Sequence, residues 1–245
     1  MKFQHIGIEQ GLSQDIVTAI AQDSLGFMWF GTEDGLNVYD GYTVTVLKHD
    51  PSQPTSLRAN AIWSLMVDSR GRLWVANEGF AEPGARTFTR LNFPAGDVSD
   101  QTALCEADNA TVLISTRKAL YKYDRRGNLS PMLAGRDVWI AANAILYDQQ
   151  LKRILVGSVS GLSVFSLSAD TLIPQPKTVA LQSIDGHSIK ALFRSSDGEI
   201  FVGTLNAGLF RLSSDLERVT QYIPDKHDSH TLSDHRLFAL AEDNQ

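Results

Sequence analysis

The sequence predicts an all-β protein, a β-propeller built of four-stranded antiparallel blades, with five complete repeats and a truncated sixth. Three observations predict it. The segment from Leu12 to Thr32 returns about 45 residues later as Leu57, Ile62, Leu65, Asp68, Gly71, Trp74 and Ala76. Weaker copies follow at 108–120, 148–165 and 189–212, and a sixth starts at Leu232-Ser233. Apolar runs of about four to six residues rich in Val, Ile, Phe and Trp alternate with Asp, Ser and Gly, the pattern of short strands joined by tight turns. Four such strands in each unit of about 40 to 45 residues is the arithmetic of a propeller blade.

In the first unit Val17 to Ala21 reads as one strand and Phe27 to Gly31 as the next. Asp23-Ser24-Leu25-Gly26 is the hairpin between them, the Asp bonding its own backbone and the Gly supplying a positive φ. Leu36 to Tyr39 is the third strand, turned by Asp40-Gly41, and Thr43 to Leu47 is the fourth. The large second-strand side chain of each unit (Trp29, Trp74, Leu113, Leu155 and Phe201) is the wedge between neighbouring blades. The repeats run over about 12–55, 56–99, 100–136, 137–183, 184–231 and 232–245, and Phe3 to Ile8 reads as a closing outer strand. Because the last repeat has room for one strand only, either the ring closes irregularly with five or six blades or the chain is an arc of a larger propeller. An open arc exposes strand edges that invite pairing with another copy, hence a possible homodimer.

Helical repeats of this period need segments of about ten residues with 3.6 spacing and few glycines, which the chain lacks, and an immunoglobulin-type sandwich does not repeat its Trp at one period. With 43% hydrophobic and 20% charged residues the chain is a folded protein rather than a disordered one. A net charge of −6 leaves no basic field, so nucleic acid and an anionic membrane surface are not expected as partners. The single cysteine, Cys105, excludes an internal disulfide and a cysteine-rich zinc module; beside Leu104 in an apolar strand it is expected to be buried and inert. The N-terminus lacks the apolar middle of a secretion signal, and no apolar run is long enough to span a membrane. The chain as given is therefore expected neither to cross a membrane nor to carry its own export signal, although the mature part of an exported protein fits equally well.

The units resemble the two-component regulator propeller repeat, Val-x-x-Ile-x-x-Asp-x-x-Gly-x-Leu-Trp-x-Gly-Thr-x-x-Gly-Leu-x-x-Tyr-Asp. Val17, Ile20, Asp23, Gly26, Trp29, Gly31, Thr32, Gly35, Leu36, Tyr39 and Asp40 stand in register, with Met28 for the Leu. The second unit keeps Ile62, Leu65, Asp68, Gly71, Leu73 and Trp74 but has Ala76-Asn77 for Gly-Thr, followed by an insertion from Phe80 to Thr87. The resemblance implies a periplasmic sensor region of a bacterial membrane-anchored receptor, in which propellers precede a β-sandwich, a membrane helix and a cytoplasmic histidine kinase or diguanylate cyclase. It implies a small-molecule or oligosaccharide ligand, no cofactor, and membrane attachment only through segments absent from this chain.

Candidate chemistry is sparse. His227, His230 and His235 with Asp228 and Asp234 have the look of a metal site, but Lys226-His227-Asp228 aligns with Lys48-His49-Asp50 in the corresponding loop, so a loop-shaping role is expected and no metal. The Asp-x-x-Gly turns at Asp23 and Asp68 miss the Asp-box of sialidase-like propellers, in which Asp stands two before Gly. Glycoside cleavage needs two carboxylates about 5 to 10 Å apart, and with 28 acidic residues some pair meets that distance by chance. No phosphate-binding Gly-rich loop and no Gly-x-Ser-x-Gly elbow occurs, so no catalytic residue is assigned.

The loops around the channel are the better place for binding. Aligning the units at Thr18 brings Trp63, Ala103, Asn143, Lys190 and Phe238 to one variable position, beside a core position formed by Ile20, Leu65, Ile145, Leu192 and Leu240. Trp63 and Phe238 suit a sugar ring, and Asn143 and Lys190 suit hydroxyls or a carboxylate; the alternative is that they plug the channel. Arg58, Asn77, Arg117, Asn206 and Arg236 extend this candidate set into the loops. The expected function is ligand sensing without chemistry, the alternatives being a protein-interaction scaffold or a carbohydrate-active propeller enzyme.

Overall fold

The computed structural model describes residues 5–76, 78–93, 103–116, 119–134, 142–168 and 171–242. Among them the strands form five antiparallel blade-like sheets. The first holds β1 (Val17–Gln22), β2 (Met28–Thr32), β3 (Gly35–Tyr39) and β4 (Val44–Leu47), and the second β5 (Leu65–Val67), β6 (Leu73–Val75), β7 (Gly79–Ala81) and β8 (Thr89–Arg90). The third holds β9 (Leu104–Ala107), β10 (Thr111–Ser115), β11 (Leu120–Tyr123) and β12 (Leu129–Pro131). In the fourth, β13 (Leu133–Ala134) joins β14 (Ala144–Asp148), β15 (Arg153–Ser158), β16 (Gly161–Ser168) and β17 (Thr171–Pro174), running parallel to β17 at the outer edge. The fifth holds β18 (Ile189–Arg194), β19 (Ile200–Thr204), β20 (Leu209–Leu212) and β21 (Val219–Tyr222).

The chain clusters into two compact units, one of Met1–Thr116 with Lys122–Ser130 and the other of Arg117–Tyr121 with Pro131–Gln245. In the first, Trp29, Leu36, Val38, Leu57, Ile62, Leu73 and Val75 form a core between the first two sheets. In the second, Leu155, Leu162, Ile184, Ile189, Ile200, Val202 and Phe210 do the same for the fourth and fifth. Within each unit consecutive first strands are neighbours: β1 beside β5, β5 beside β9, and β14 beside β18.

A glycine sets how closely sheets approach. A Cβ on Gly31 would lie 2.9 Å from Ile62 Cγ2, one on Gly157 2.4 Å from Ile189 Cγ2, and one on Gly203 3.2 Å from Leu237 Cβ. The Gly of the second strand is thus the seat of the segment that follows the sheet, whose backbone is tied down beside it. Ile62 N–H donates to Thr32 O and Leu237 N–H to Thr204 O, both at 2.8 Å.

The structure corrects the sequence reading in several places. Ile8–Gln10 is a 3₁₀ turn and residues 5–7 are not in a strand, so the closing strand expected over 3–8 is not formed there; residues 3 and 4 lie outside the described residues. Residues 232–242 run without a paired strand, because no second strand lies beside them among the described residues. Ile20, expected in the core, is 59% exposed. Its equivalents Leu65 and Leu192 pack on the apolar clusters of their units, whereas Ile20 joins neither. Phe201 is only half-buried, while Trp29, Trp74, Leu113 and Leu155 are buried. Cys105 is half-buried, and its Sγ lies 3.4 Å from Glu106 O.

Candidate functional site

Two of the variable positions share one backbone setting. The β1–β2 register shifts between Val17 and Ala19, and the β18–β19 register between Ile189 and Ala191, so Thr18 and Lys190 are the extra residues of β-bulges. A bulge bends its strand and re-aims the side chain it carries. Thr18 uses this aim to donate from Oγ1 to Ile62 O; Asn143, just ahead of β14, makes the equivalent bond from Nδ2 to Ile189 O at 3.0 Å. Each tether ends on the carbonyl just before the equivalent position of the next sheet, so Thr18 is brought to Trp63 and Asn143 to Lys190. Trp63 is 38% exposed and Phe238 65%, Lys190 is half-buried, and Ala103 is buried.

Other candidates are held by neighbours. Arg58 donates its N–H to Glu78 Oε2 at 2.8 Å and its Nη2 to Leu91 O at 3.1 Å. Glu78, 3% exposed, also meets Arg90 Nε at 3.3 Å. A buried carboxylate needs such partners, since burial disfavours the ionised form. Arg236 forks onto Asp234, Nε at 3.1 Å and Nη2 at 2.8 Å, and this guanidinium holds the Asp234 carboxyl well below the usual carboxylate range. Asn206 is exposed in the β19–β20 turn, where Thr204 Oγ1 accepts from Ala207 N at 2.9 Å and donates to Gly208 O at 2.8 Å. Asn77 and Arg117 lie outside the described residues.

Among the described residues no three His, Cys, Asp or Glu side chains converge, and His227, His230 and His235 are exposed. The structure also shifts the loop alignment by three residues. Asp50 N–H donates to Ser56 Oγ and Asp50 Oδ1 accepts from Ser52 N, both at 2.9 Å. The matching bonds run from Asp225 N–H to Thr231 Oγ1 and from His227 N–H to Asp225 Oδ1, both at 2.8 Å. Asp225, not Asp228, is therefore the counterpart of Asp50, because the spacing that closes this loop is Asp to hydroxyl rather than Lys-His-Asp.

Sequence reasoning missed two adjoining cavities on the outer face of the fifth sheet, of about 850 and 760 Å3. Both reach Phe201 and Leu209; the first continues along Tyr222 and Ile223, the second past Arg211 to Leu240 and Glu242. The signal for them is the apolar set that successive strands of that sheet carry, Phe201, Leu209 and Tyr222.

Comparison with known proteins agrees with this architecture. The two component regulator propeller family matches residues 11–34 and 56–79. A histidine kinase P4 of Formosa agariphila is 47% identical over 47 residues, 19% of this chain and 3% of that protein. The extracellular domain described for a hybrid two component system of B. thetaiotaomicron superposes with a TM-score of 0.69 at 22% identity, over 90% of this chain and 32% of its own length. The virginiamycin B lyase of Staphylococcus aureus superposes with a TM-score of 0.64 at 11% identity, over 86% of this chain and 71% of its own. These likenesses identify the fold as a β-propeller, with the regulator-type match confined to residues 11–34 and 56–79; the chain spans about a third of the length of the extracellular domain it matches. Among the described residues no helix is long and apolar enough to cross a membrane.

Proposed function

We propose that this chain, whose first two units carry two-component regulator propeller repeats, is part of the periplasmic sensor region of a bacterial inner-membrane receptor. In this reading it binds a small molecule or oligosaccharide and relays occupancy to a cytoplasmic output domain, with no chemistry of its own. The observation that carries it is the repeat match at residues 11–34 and 56–79. The proposed binding groups are Trp63 with Arg58 in the first unit, and Lys190 and Phe238 with Asn143, Asn206 and Arg236 in the second; Asn77 and Arg117 complete the set by sequence. An exposed ring offers a face to a sugar, and an ammonium beside it offers a partner for a carboxylate or hydroxyl.

The finer reading of the fold is that residues 232–242 open a sixth unit of a larger propeller. Leu237 sits on Gly203 as Ile62 sits on Gly31. Glu242 accepts from Ser196 N and Ser196 Oγ at 2.9 and 3.1 Å, just as Glu106 on β9 accepts from Ser69 at 2.8 and 2.6 Å. These contacts support the reading, and the share of the neighbour's length that this chain spans is in keeping with it.

Calorimetric titration of the whole ectodomain against a glycan-fragment panel tests the function. Saturable binding weakened tenfold or more by Trp63→Ala or Lys190→Ala is the expected result. Binding unaffected by both substitutions would place the ligand elsewhere, and turnover of a glycan would replace the sensor with an enzyme.

A further inference from the structure

We infer that the ligand taken by the second compact unit is an acidic saccharide, whose carboxylate neutralises the Lys190 ammonium while a face of its sugar ring lies on Phe238. Resting on the sensor reading above, this narrows the ligand from saccharides at large to those that carry negative charge.

The face on which β18 begins is built of alternating turns and strand leads, each tied to the next. Gly186 N–H donates to Ser160 O, Leu205 N–H to Ser188 O, Gly208 N–H to His235 O and Leu237 N–H to Thr204 O, at 2.8 or 2.9 Å. Thr204 faces Ile189 in the β18–β19 register, so it stands between the Ile189 and Leu237 backbones. Lys190 and Phe238 are the residues that follow those two, and they correspond to Thr18 and Trp63 of the first unit. There Thr18 spends its hydroxyl on Ile62 O, whereas Lys190, half-buried in its bulge, makes no hydrogen bond or ion pair among the described residues.

The charges on this face select the ligand class. Among the described residues of the unit, the leads before and after the fifth sheet hold two carboxylates, Asp185 and Asp234. Asp185 is paired with Lys177, and Asp234 with Arg236 at 2.8 Å, so neither is left for Lys190. The β15–β16 turn, Ser158-Val159-Ser160, and the β19–β20 turn, Leu205-Asn206-Ala207, hold no acid at all. Asp225 and Asp228 lie beyond the outer strand β21 and close their own loop on the backbone N–H groups of His227 and His230. The other described acids of the unit belong to the hairpins at the opposite end of the strands, as Asp148, Asp197 and Glu242 do. Even the lead position that carries Asp15 in the first sheet carries an imidazole here, His187 and again His235.

A half-buried ammonium without a counter-charge has lost part of its water and gained nothing in return, and a bound anion makes good that loss. In a chain of net charge −6 this face is a local exception, and a neutral sugar would make no use of it. The apolar neighbours argue against a bare inorganic anion. Phe238 is exposed beside the ammonium and Leu205 is exposed in the adjoining turn, a surface for the C–H face of a sugar, while the exposed amide of Asn206 suits its hydroxyls.

Calorimetric titration of the 245-residue chain with oligomers of galacturonate, glucuronate and mannuronate, each beside its methyl ester, separates charge from sugar shape. At least one acid is expected to bind tenfold or more tightly than its ester, and more weakly as salt is raised. Lys190→Gln is expected to abolish that preference and Lys190→Arg to keep it, with melting temperatures matching the wild type as the control for folding. Acid and ester bound equally, or a preference that survives in Lys190→Gln, overturns the inference. Displacement of the bound acid by an equal concentration of sodium sulfate makes this an anion site without saccharide recognition and overturns it too. A neutral oligosaccharide bound where no acid binds overturns the acidic class and leaves the sensor reading standing, whereas no binding of any saccharide, acidic or neutral, fails the sensor reading itself.

Discussion

Oδ2 of Asp68 lies 2.7 Å from the indole Nε1 of Trp74, and the same pair recurs as Asp23 and Trp29 at 2.8 Å. The other carboxylate oxygen accepts from the hairpin backbone, from Arg70 and Arg72 in one sheet and from Leu25 and Phe27 in the other. One side chain thus shapes the turn and satisfies the buried donor of the inter-sheet wedge, which is why Asp and Trp recur with the same separation. In the second sheet Asp68 also pairs with Arg72, whose guanidinium lies 4.6 Å from the Phe80 ring centroid.

Asp68→Ala is expected to cost about 3–5 kcal/mol, because it leaves the Arg72 cation buried without its carboxylate. Urea melts of the purified chain check this. A cost below about 1 kcal/mol would mean that Arg72 escapes to solvent when its partner is gone.

Stability is also expected to depend on pH through this group. Burial pushes the Asp68 carboxyl up, but the hydrogen bonds from Trp74 and Arg72 and the Arg72 charge outweigh it and hold it below the usual carboxylate range. A carboxyl lowered in the folded state contributes stability that is present above its unfolded value, about 3.9, and is lost as pH falls through the lower folded value. Melts between about pH 5 and 2 are expected to fall more steeply for the wild type than for Asp68→Asn.

Gly157→Ala is expected to cost about 1–3 kcal/mol by driving a Cβ into Ile189 Cγ2. Combining it with Ile189→Ala is expected to cost less than the two separate changes added, by about 0.5–3 kcal/mol, since the contact with Cγ2 goes with the side chain and only the 2.9 Å approach to Cβ is left. Strict additivity in denaturant melts would show that the sheets do not meet at this pair.

Gly26 has φ 90° in the first hairpin, with open space around it. Gly26→Val is expected to cost about 1–2 kcal/mol from backbone conformation alone, and Gly26→Asn less. Equal melting points for the two variants would reject conformational strain as the cause.

At the variable position the two roles separate. Asn143→Ala is expected to cost about 1 kcal/mol through the lost bond to Ile189 O, whereas Lys190→Ala, with no hydrogen bond or ion pair among the described residues, is expected to stay within about 0.5 kcal/mol. Thermal melts of the two variants distinguish a tether from a side chain left available to a ligand.

The repeat, its strands and its turns are legible along the chain because they are local. Period-two alternation, Asp and Gly at hairpins and one large wedge residue act within about 30 residues, and the four strands of the first unit stand within a residue or two of where the pattern puts them. Cover and hydrogen-bond partners are not local, and only the tertiary structure decided them. Ile20 and Phe201 carry the same apolar signal as Ile145 and Trp74, yet the first two are exposed or half-buried and the last two are buried. The Asp225 loop was misaligned by three residues because a matching Lys-His-Asp triplet outweighed the Asp-to-hydroxyl closure that holds it. Asn143, a candidate ligand group by residue type, spends its amide on Ile189 O, while Lys190 at the same position keeps its ammonium. A sequence states which side chains a position holds, but whether a polar side chain is spent on the protein or left for a ligand depends on what folds against it.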